Sequence, residues 1–363
     1  MVQVQISDYS YANARVRAMI SRLLDRRDFQ RLLEAPDYNG VLGLLEDTEY
    51  GPDVEEAVLQ GMHPTNVDRA LARNMERNFN RIKEFIVGRP QELINILFSR
   101  WDLYNLKTVL RGKQALVPNA EISRNLVPVG ALDLVTLEEL INQPDVRAVL
   151  DAMVMFSPRW WIPYGRAVVP HMAEYLRERN LSVIETALDK FHYREVQRLL
   201  KGRNGNAGLV KKVIGMEVDV LNLMTLLRVC GLGLNKDELR EYYIPGGSLE
   251  EDFFLRTAAL ERPEKVLDVL TEKTEYREPL ERGKRGFEEK GEQAVQDELD
   301  RYLIHRCLHL TRDPLGIGVI IIYMWKKYLE ILNLRIIIRG KSIGLIESQI
   351  RKELFLLEEP EKT

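Results

Sequence analysis

The chain has 363 residues, 45% of them hydrophobic and 29% charged, ordinary proportions for a globular protein with length enough for a packed core. Its 52 Lys and Arg against 55 Asp and Glu give a net charge of −3, which excludes the basic footprint of a general nucleic-acid binder. Two cysteines, Cys230 and Cys307, exclude a disulfide framework and fit a reducing compartment.

The first residues, through Met19, lack the apolar run of a signal peptide and carry charge from Asp8 onward, so a cytoplasmic chain is expected. Beyond them Leu, Glu, Arg and Ala are plentiful and apolar residues recur at spacings of three and four. No alternating pattern with an Asn-Gly turn intervenes, and an all-α fold of about a dozen or more helices is predicted. Pro or Gly interrupts the helical period at Ala35-Pro36-Asp37, His63-Pro64, Gly88-Arg89-Pro90, Val117-Pro118-Asn119, Ser157-Pro158, Gly202 to Gly208, Pro245-Gly246-Gly247 and Asp313-Pro314. Tyr276 to Gly291, dense in Glu, Lys, Arg and Gly, reads as a solvated helix end or a mobile loop. The most apolar stretch, Leu315 to Trp325, is bounded by Asp313 and Lys326 and is far shorter than the roughly 20 residues of a membrane-crossing helix; it predicts a buried helix.

Three segments share one pattern: Asp102 to Arg111, Asp219 to Arg228 and Glu330 to Arg339. Each has an acid three residues before an Asn (Asp102 and Asn105, Asp219 and Asn222, Glu330 and Asn333), Leu just after it, aliphatics at plus four and plus five, and Arg at plus six (Arg111, Arg228, Arg339). The asparagines stand 117 and 111 residues apart, and a second anchor keeps register: Val67 and Leu71, Ile184 and Leu188, and Val295 and Leu299 lie 38 and 34 residues before them. A looser match joins Pro36-Asp37, Pro144-Asp145 and Pro263-Glu264, and the first and third copies share Thr48-Glu49-Tyr50 and Thr274-Glu275-Tyr276. The reading is three helical modules, 1–125, 126–243 and 244–363, with seams near Leu126 and Ile244.

On a helical wheel centred on the Asn, the aliphatics form one face and the acid falls inside it at roughly 60°, whereas the Arg lies on the far side at roughly 240°. The two cannot pair along the helix. A carboxylate on a buried face needs a partner, so Asp102, Asp219 and Glu330 are each expected to bond backbone amides or a basic side chain of another helix in the same module. Asn105, Asn222 and Asn333 read as structural hydrogen-bonding residues. The far side is wet in the first copy (Tyr104, Lys107, Thr108) and apolar in the second (Leu221, Met224) and third (Leu332, Ile336), where cover on both sides is expected. Arg111-Gly112-Lys113 and Arg339-Gly340-Lys341 read as helix ends, with Gly as the left-handed cap.

Catalytic chemistry is not legible. Gly340-Lys341-Ser342 resembles the end of a phosphate-binding loop, but Arg335 stands where the leading Gly is required. His305, Cys307 and His309 put two imidazoles one turn apart without a third ligand, more in keeping with a packed or surface pair than a metal site. His63, His171 and His192 are scattered, and neither cysteine has a nucleophile context. Trp160-Trp161 with Tyr164 fits core packing, with an interface anchor as the other reading. No catalytic, cofactor-binding or metal residue is assigned.

The start, Tyr9 to Met19, the stretch Phe98 to Lys107, and the end, with Pro314, Gly316, Gly318, Tyr323, Glu330, Asn333, Arg335 and Arg351, resemble the C subunits of the archaeal and bacterial A/V-type rotary ATPases, related to the d subunit of the eukaryotic V-ATPase. The resemblance covers the whole chain. It implies a funnel of three similar helical subdomains with pseudo-threefold symmetry, which agrees with the triplication. It further implies a non-catalytic part of the central rotor, one copy per complex, on the cytoplasmic side of the membrane. Such a protein would couple a central-stalk shaft, made by the D and F subunits, to a proteolipid ring that moves protons or sodium ions, without a cofactor or a bilayer span of its own. The other reading is a free-standing all-helical adaptor.

Overall fold

The structure, a computed structural model, describes residues 9–86, 88–156, 161–203, 205–310 and 313–355. Among them all regular structure is helical. In chain order the helices are α1 (Ser10–Ile20), α2 (Arg26–Glu34), α3 (Tyr38–Glu46), α4 (Gly51–Leu59), α5 (Pro64–Phe85), α6 (Arg89–Gln114), α7 (Asn119–Arg124), α8 (Leu134–Ile141), α9 (Val146–Phe156), α10 (Gly165–Val168) and α11 (Met172–Glu178). There follow α12 (Leu181–Leu200), α13 (Asn206–Val229), α14 (Lys236–Arg240), α15 (Glu251–Ala258), α16 (Pro263–Lys273), α17 (Arg277–Lys290), α18 (Glu292–Leu308), α19 (Gly318–Ser342) and α20 (Glu347–Glu353).

Local chemistry sets many of these boundaries. Pro64, Pro90 and Pro263 occupy the first turn of their helices, where a missing N–H costs nothing, so these prolines open helices as well as ending what precedes them. Asp25, Asp37, Asp133 and Asn235 cap the next free amides, and Asp25 and Asn235 complete reciprocal boxes with Asp28 and Glu238. The Ser157-Pro158 break and Trp160 lie outside the described residues.

The chain forms two compact units, residues 1–181 with 311–363, and residues 182–310. In the first, α19 packs on α1, α3, α5 and α20, α5 also packs on α4 and α7, and α6 packs on α7, α8 and α9. Helices from both ends of the sequence are therefore built into one core. Asn13 Nδ2 donates to the carbonyls of Pro314 (3.2 Å) and Gly316 (3.0 Å), and Lys341 Nζ to that of Ala35 (2.6 Å). Phe79 sits among Phe98, Trp101 and Tyr323 with ring centroids 4.9, 5.5 and 6.1 Å away. Trp161 is half-buried, whereas Tyr164 is buried with its hydroxyl 3.3 Å from the Ser99 carbonyl.

In the second unit, α13 supplies Leu223, Leu226 and Leu227 to a core completed by Phe254, Leu267, Leu270, Val295 and Leu299. The segment expected as a solvated helix end or loop, residues 276–291, is the regular helix α17, lying close against α18. The reason is its glycines. A Cβ on Gly283 would come within 2.8 Å of the Val295 Cα, and one on Gly286 within 3.0 Å of the Ala294 Cβ, so small residues let two backbones approach while Arg277, Arg282 and Lys284 pair with carboxylates on the wet side. Of the apolar stretch at 315–325, Val319 to Ile321 and Tyr323 to Trp325 are buried in α19, whereas Leu315 is 54% exposed. Among the described residues no helix is long and apolar enough to cross a membrane.

Candidate functional site

The three repeat segments lie on the three longest helices described, α6, α13 and α19. Each Asn is buried and closes a two-bond ring with the backbone 22 residues further on. Asn105 gives Nδ2 to the Val127 carbonyl and accepts from its amide, both at 2.8 Å. Asn222 does the same with Ile244 (2.8 and 3.0 Å) and Asn333 with Phe355 (3.4 and 2.8 Å). An amide side chain presents a donor and an acceptor side by side, so it imitates a strand neighbour and fixes the returning chain against the helix.

The acids hold a second point of the same return. Asp102 accepts from the amides of Ala131 and Leu132, both at 2.9 Å, 29 and 30 residues on. Asp219 accepts from the amides of Ser248 (2.7 Å) and Leu249 (3.1 Å) at the same offsets, and from the hydroxyls of Ser248 (2.8 Å) and Tyr276 (2.9 Å). Gly130 and Gly247 precede these amides, and a Cβ on either would fall 2.0 or 2.1 Å from a carboxylate oxygen. Here glycine serves close approach and not a left-handed turn. The partners are backbone amides, but Ala131, Leu132, Ser248 and Leu249 lie beyond the seams expected near Leu126 and Ile244, so the bonds of α6 and α13 cross the module boundaries read from sequence.

Glu330 takes its donors from the other end of the sequence: the Leu24 amide at 2.6 Å, the Tyr50 hydroxyl, and, from its own helix, Lys327 Nζ at 3.0 Å. Lys327 is wholly buried, lies 2.8 Å from the Tyr50 hydroxyl and 3.6 Å from Glu49 Oε1, and faces the Tyr50 ring at 4.2 Å. Leu24 corresponds to Leu132 and Leu249, since each donates its amide to a repeat acid and each precedes a helix N-cap, Asp25, Asp133 or Glu250. Tyr50 corresponds to Tyr276 in the same way. The shared Thr-Glu-Tyr motif thus marks the tyrosine that reaches the acid, with Thr48 and Thr274 each bonding the helix end before it.

The arginines stand apart from this network. Arg111 is exposed, Arg228 pairs with Glu292 at 3.1 Å, and Arg339 gives Nε and an Nη to Asp68 at 3.2 and 3.1 Å. Gly112 and Gly340 are not left-handed caps. They lie inside helices α6 and α19 and accommodate Ile122 and Ile350, whose Cγ1 atoms would sit 2.5 and 2.6 Å from an added Cβ. The left-handed positions come four residues later, at Leu116 and Gly344. Sequence misplaces the cap because a helix-compatible glycine and a capping glycine look alike beside a basic residue.

Burial pushes the Asp102 carboxyl up to about 6, against the two amides and Lys83, which pull it down. A carboxyl with a raised folded-state pKa stabilises the fold fully below its unfolded value near 3.8 and loses that contribution as pH rises through about 6. Asp102→Asn, which cannot titrate, is therefore expected to cost up to about 3 kcal/mol more at pH 4 than at pH 7.5. Urea unfolding of both proteins across that range measures it, and a pH-independent cost would contradict the assignment.

Sequence reasoning passes over several buried polar groups. Asp53 accepts from Asn74 (2.8 Å) and Arg77 (2.6 Å), and Asn74 and Asn78 bond each other; their spacing of four along α5 is the available signal. His305 and His309 stack with centroids 4.4 Å apart, and burial with the neighbouring ring lowers the His305 pKa. Among the described residues no group of three or more His, Cys, Asp or Glu is placed to hold a metal ion. Gly340-Lys341-Ser342 is the end of α19, with no strand before it.

The model of the ATP synthase (C/AC39) subunit family matches residues 12–353. The chain is 28% identical to the C subunit of the A-type ATP synthase of Methanocaldococcus jannaschii, over 98% of this chain and 88% of that protein. It is 30% identical to the A-type C subunit of Methanococcoides burtonii, over 96% and 95% of the two chains. The C subunit of the V-type ATP synthase of Deinococcus radiodurans is 26% identical, over 96% and 91%.

Proposed function

The chain belongs to the ATP synthase (C/AC39) subunit family, and from that premise we propose that it is the socket through which a central shaft of D and F subunits turns a membrane proteolipid ring. Members of this family are non-catalytic, and this chain has a coupling role and not a hydrolytic one. In the proposed assembly one copy rests on the cytoplasmic side of the ring. Its three repeats, 1–125, 126–243 and 244–363, form a funnel of similar subdomains around a pseudo-threefold axis, and ATP hydrolysis or synthesis is linked through it to proton or sodium movement.

The observation that carries this reading is the family match along residues 12–353. The anchors support it physically. A part that transmits torque must not shear internally, and Asn105, Asn222 and Asn333 each tie a long helix to chain that would otherwise slide past it. Within the first unit α6 holds the backbone at 131–132 and α19 the segment between α1 and α2, and within the second α13 holds the backbone at 248–249, so each long helix is tied to distant chain of its own unit.

Reconstitution tests the proposal. A membrane-bound ring and stator are combined with the ATP-driven head and D–F shaft, with and without this chain. Addition is expected to make ATP hydrolysis drive ion uptake and become sensitive to ring inhibitors. Coupled transport at the same rate in its absence would remove the socket reading and leave an adaptor.

A further inference from the structure

Between α6 and α19 in the first unit lies a cleft of about 110 Å³, next to the Val127 backbone that Asn105 holds. Met75, Val127, Ile331, Leu332 and Ile336 form its apolar walls, and Arg335, Arg339, Tyr104, Tyr328 and Asn125 supply its polar groups. Its electrostatics are unbalanced. Three guanidinium groups, Arg124, Arg335 and Arg339, act on one buried carboxylate, Asp68. Arg339 makes both its hydrogen bonds to Asp68 Oδ2, while Arg335 Nε lies 3.8 Å from Oδ1, an ion-pair distance too long for a hydrogen bond. Oδ1 is thereby also left without a hydrogen-bond partner, so two lining arginines share one carboxylate. The Arg335 side chain is 11% exposed, its Nε is buried without a hydrogen-bond partner, and it makes a long bond to the Leu126 carbonyl at 3.4 Å. Burial lowers its pKa, yet a guanidinium remains a cation and keeps the demand for an anion.

We propose that this cleft receives one carboxylate side chain, Glu or Asp, projecting from the apolar face of a partner protein's helix, held by Arg335, Arg339 and the Tyr104 hydroxyl. Size limits the occupant to about one side chain, which excludes a nucleotide. Charge requires an anion. The aliphatic walls favour a carboxylate that arrives on its own apolar stem over free phosphate, whose hydration shell they cannot replace. Tyr104 is 43% exposed and Arg339 44%, so the rim is open to an approaching helix.

The full chain alone suffices for the test, which makes the result independent of any coupling role. Two fluorescent helical peptides, alanine- and leucine-rich and differing only in one central Glu or Gln, are titrated and followed by anisotropy. The Glu peptide is expected to bind roughly tenfold or more tightly than the Gln peptide, the gain of a charge-assisted bond over a neutral one. Ile336→Trp, which fills the cleft and keeps both arginines, should abolish the difference at unchanged Tm. Tyr104→Phe, at an exposed position, should reduce the preference and keeps the test decisive where the Trp variant does not fold. Equal binding of the two peptides, no binding of either, or an unchanged preference in both variants overturns the proposal. So does displacement of the Glu peptide by inorganic phosphate at concentrations below those of the peptide.

Discussion

Lys327→Met is expected to destabilise the first unit by about 3–5 kcal/mol at neutral pH, the usual cost of removing one member of a buried ion pair. The ammonium is fully enclosed, and Glu330, 3.0 Å away, is 4% exposed, so neither charge has water to fall back on. With Lys327 gone, Glu330 keeps only the Leu24 amide and the Tyr50 hydroxyl. Burial already raises the Glu330 pKa, and loss of the cation removes the largest influence pulling it down, so the variant should take up a proton on this carboxyl. Lys327→Met with Glu330→Gln leaves only Glu49 without the cation, at 19% exposure and still bonded by Asn78 Nδ2, and should recover most of the loss, because a well-packed neutral pair is often as stable as the ionic one. Urea unfolding of wild type, both single variants and the double closes the cycle. A cost below about 1 kcal/mol for Lys327→Met would show that the pair does not bind the two ends of the sequence together.

The positions of Asp102, Asp219 and Glu330 on a buried face are legible from helical geometry alone, because 100° per residue places an acid among aliphatics whatever the tertiary fold. Their need for donors is legible for the same reason. The donors are not, since an amide 29 residues along a return loop carries no side-chain signature, although Gly130 and Gly247 stand beside it. Seams fall where similarity restarts, and the hydrogen bonds of Asp102 and Asp219 cross them. In the third copy the donors Leu24 and Tyr50 lie 306 and 280 residues from Glu330, a closure at which only the shared Thr-Glu-Tyr motif hints. Asp68 and Arg339, 271 residues apart, leave no local trace: periodicity predicts which face a residue occupies but not which helix it meets.

Gly130→Ala and Gly247→Ala test the carboxylate anchors from the opposite side, and each is expected to cost about 2–4 kcal/mol, the loss of donors to a buried anion. Neither glycine adopts a positive φ, so backbone strain is not the cause. An alanine Cβ would fall 2.0 Å from Asp102 Oδ1 or 2.1 Å from Asp219 Oδ1, distances at which something must move. If the loop moves outward, the carboxylate loses the amides of Ala131 and Leu132, or of Ser248 and Leu249, and is left short of donors. The mechanism makes a sharper claim than the magnitude. In an Asp219→Ala background the carboxylate atoms nearest Gly247 are gone, the closest atom left is the backbone N of residue 219 at 3.2 Å, and no anion remains to be stranded, so adding Gly247→Ala should cost less than about 1 kcal/mol. Gly43→Ala is the control, since nothing lies within 4 Å of that Cβ and the residue is inside α3; there the substitution should stabilise by about 0.5–1 kcal/mol. Equal losses from Gly247→Ala with and without the Asp219 carboxylate would place its role in the loop itself and detach it from the repeated acid.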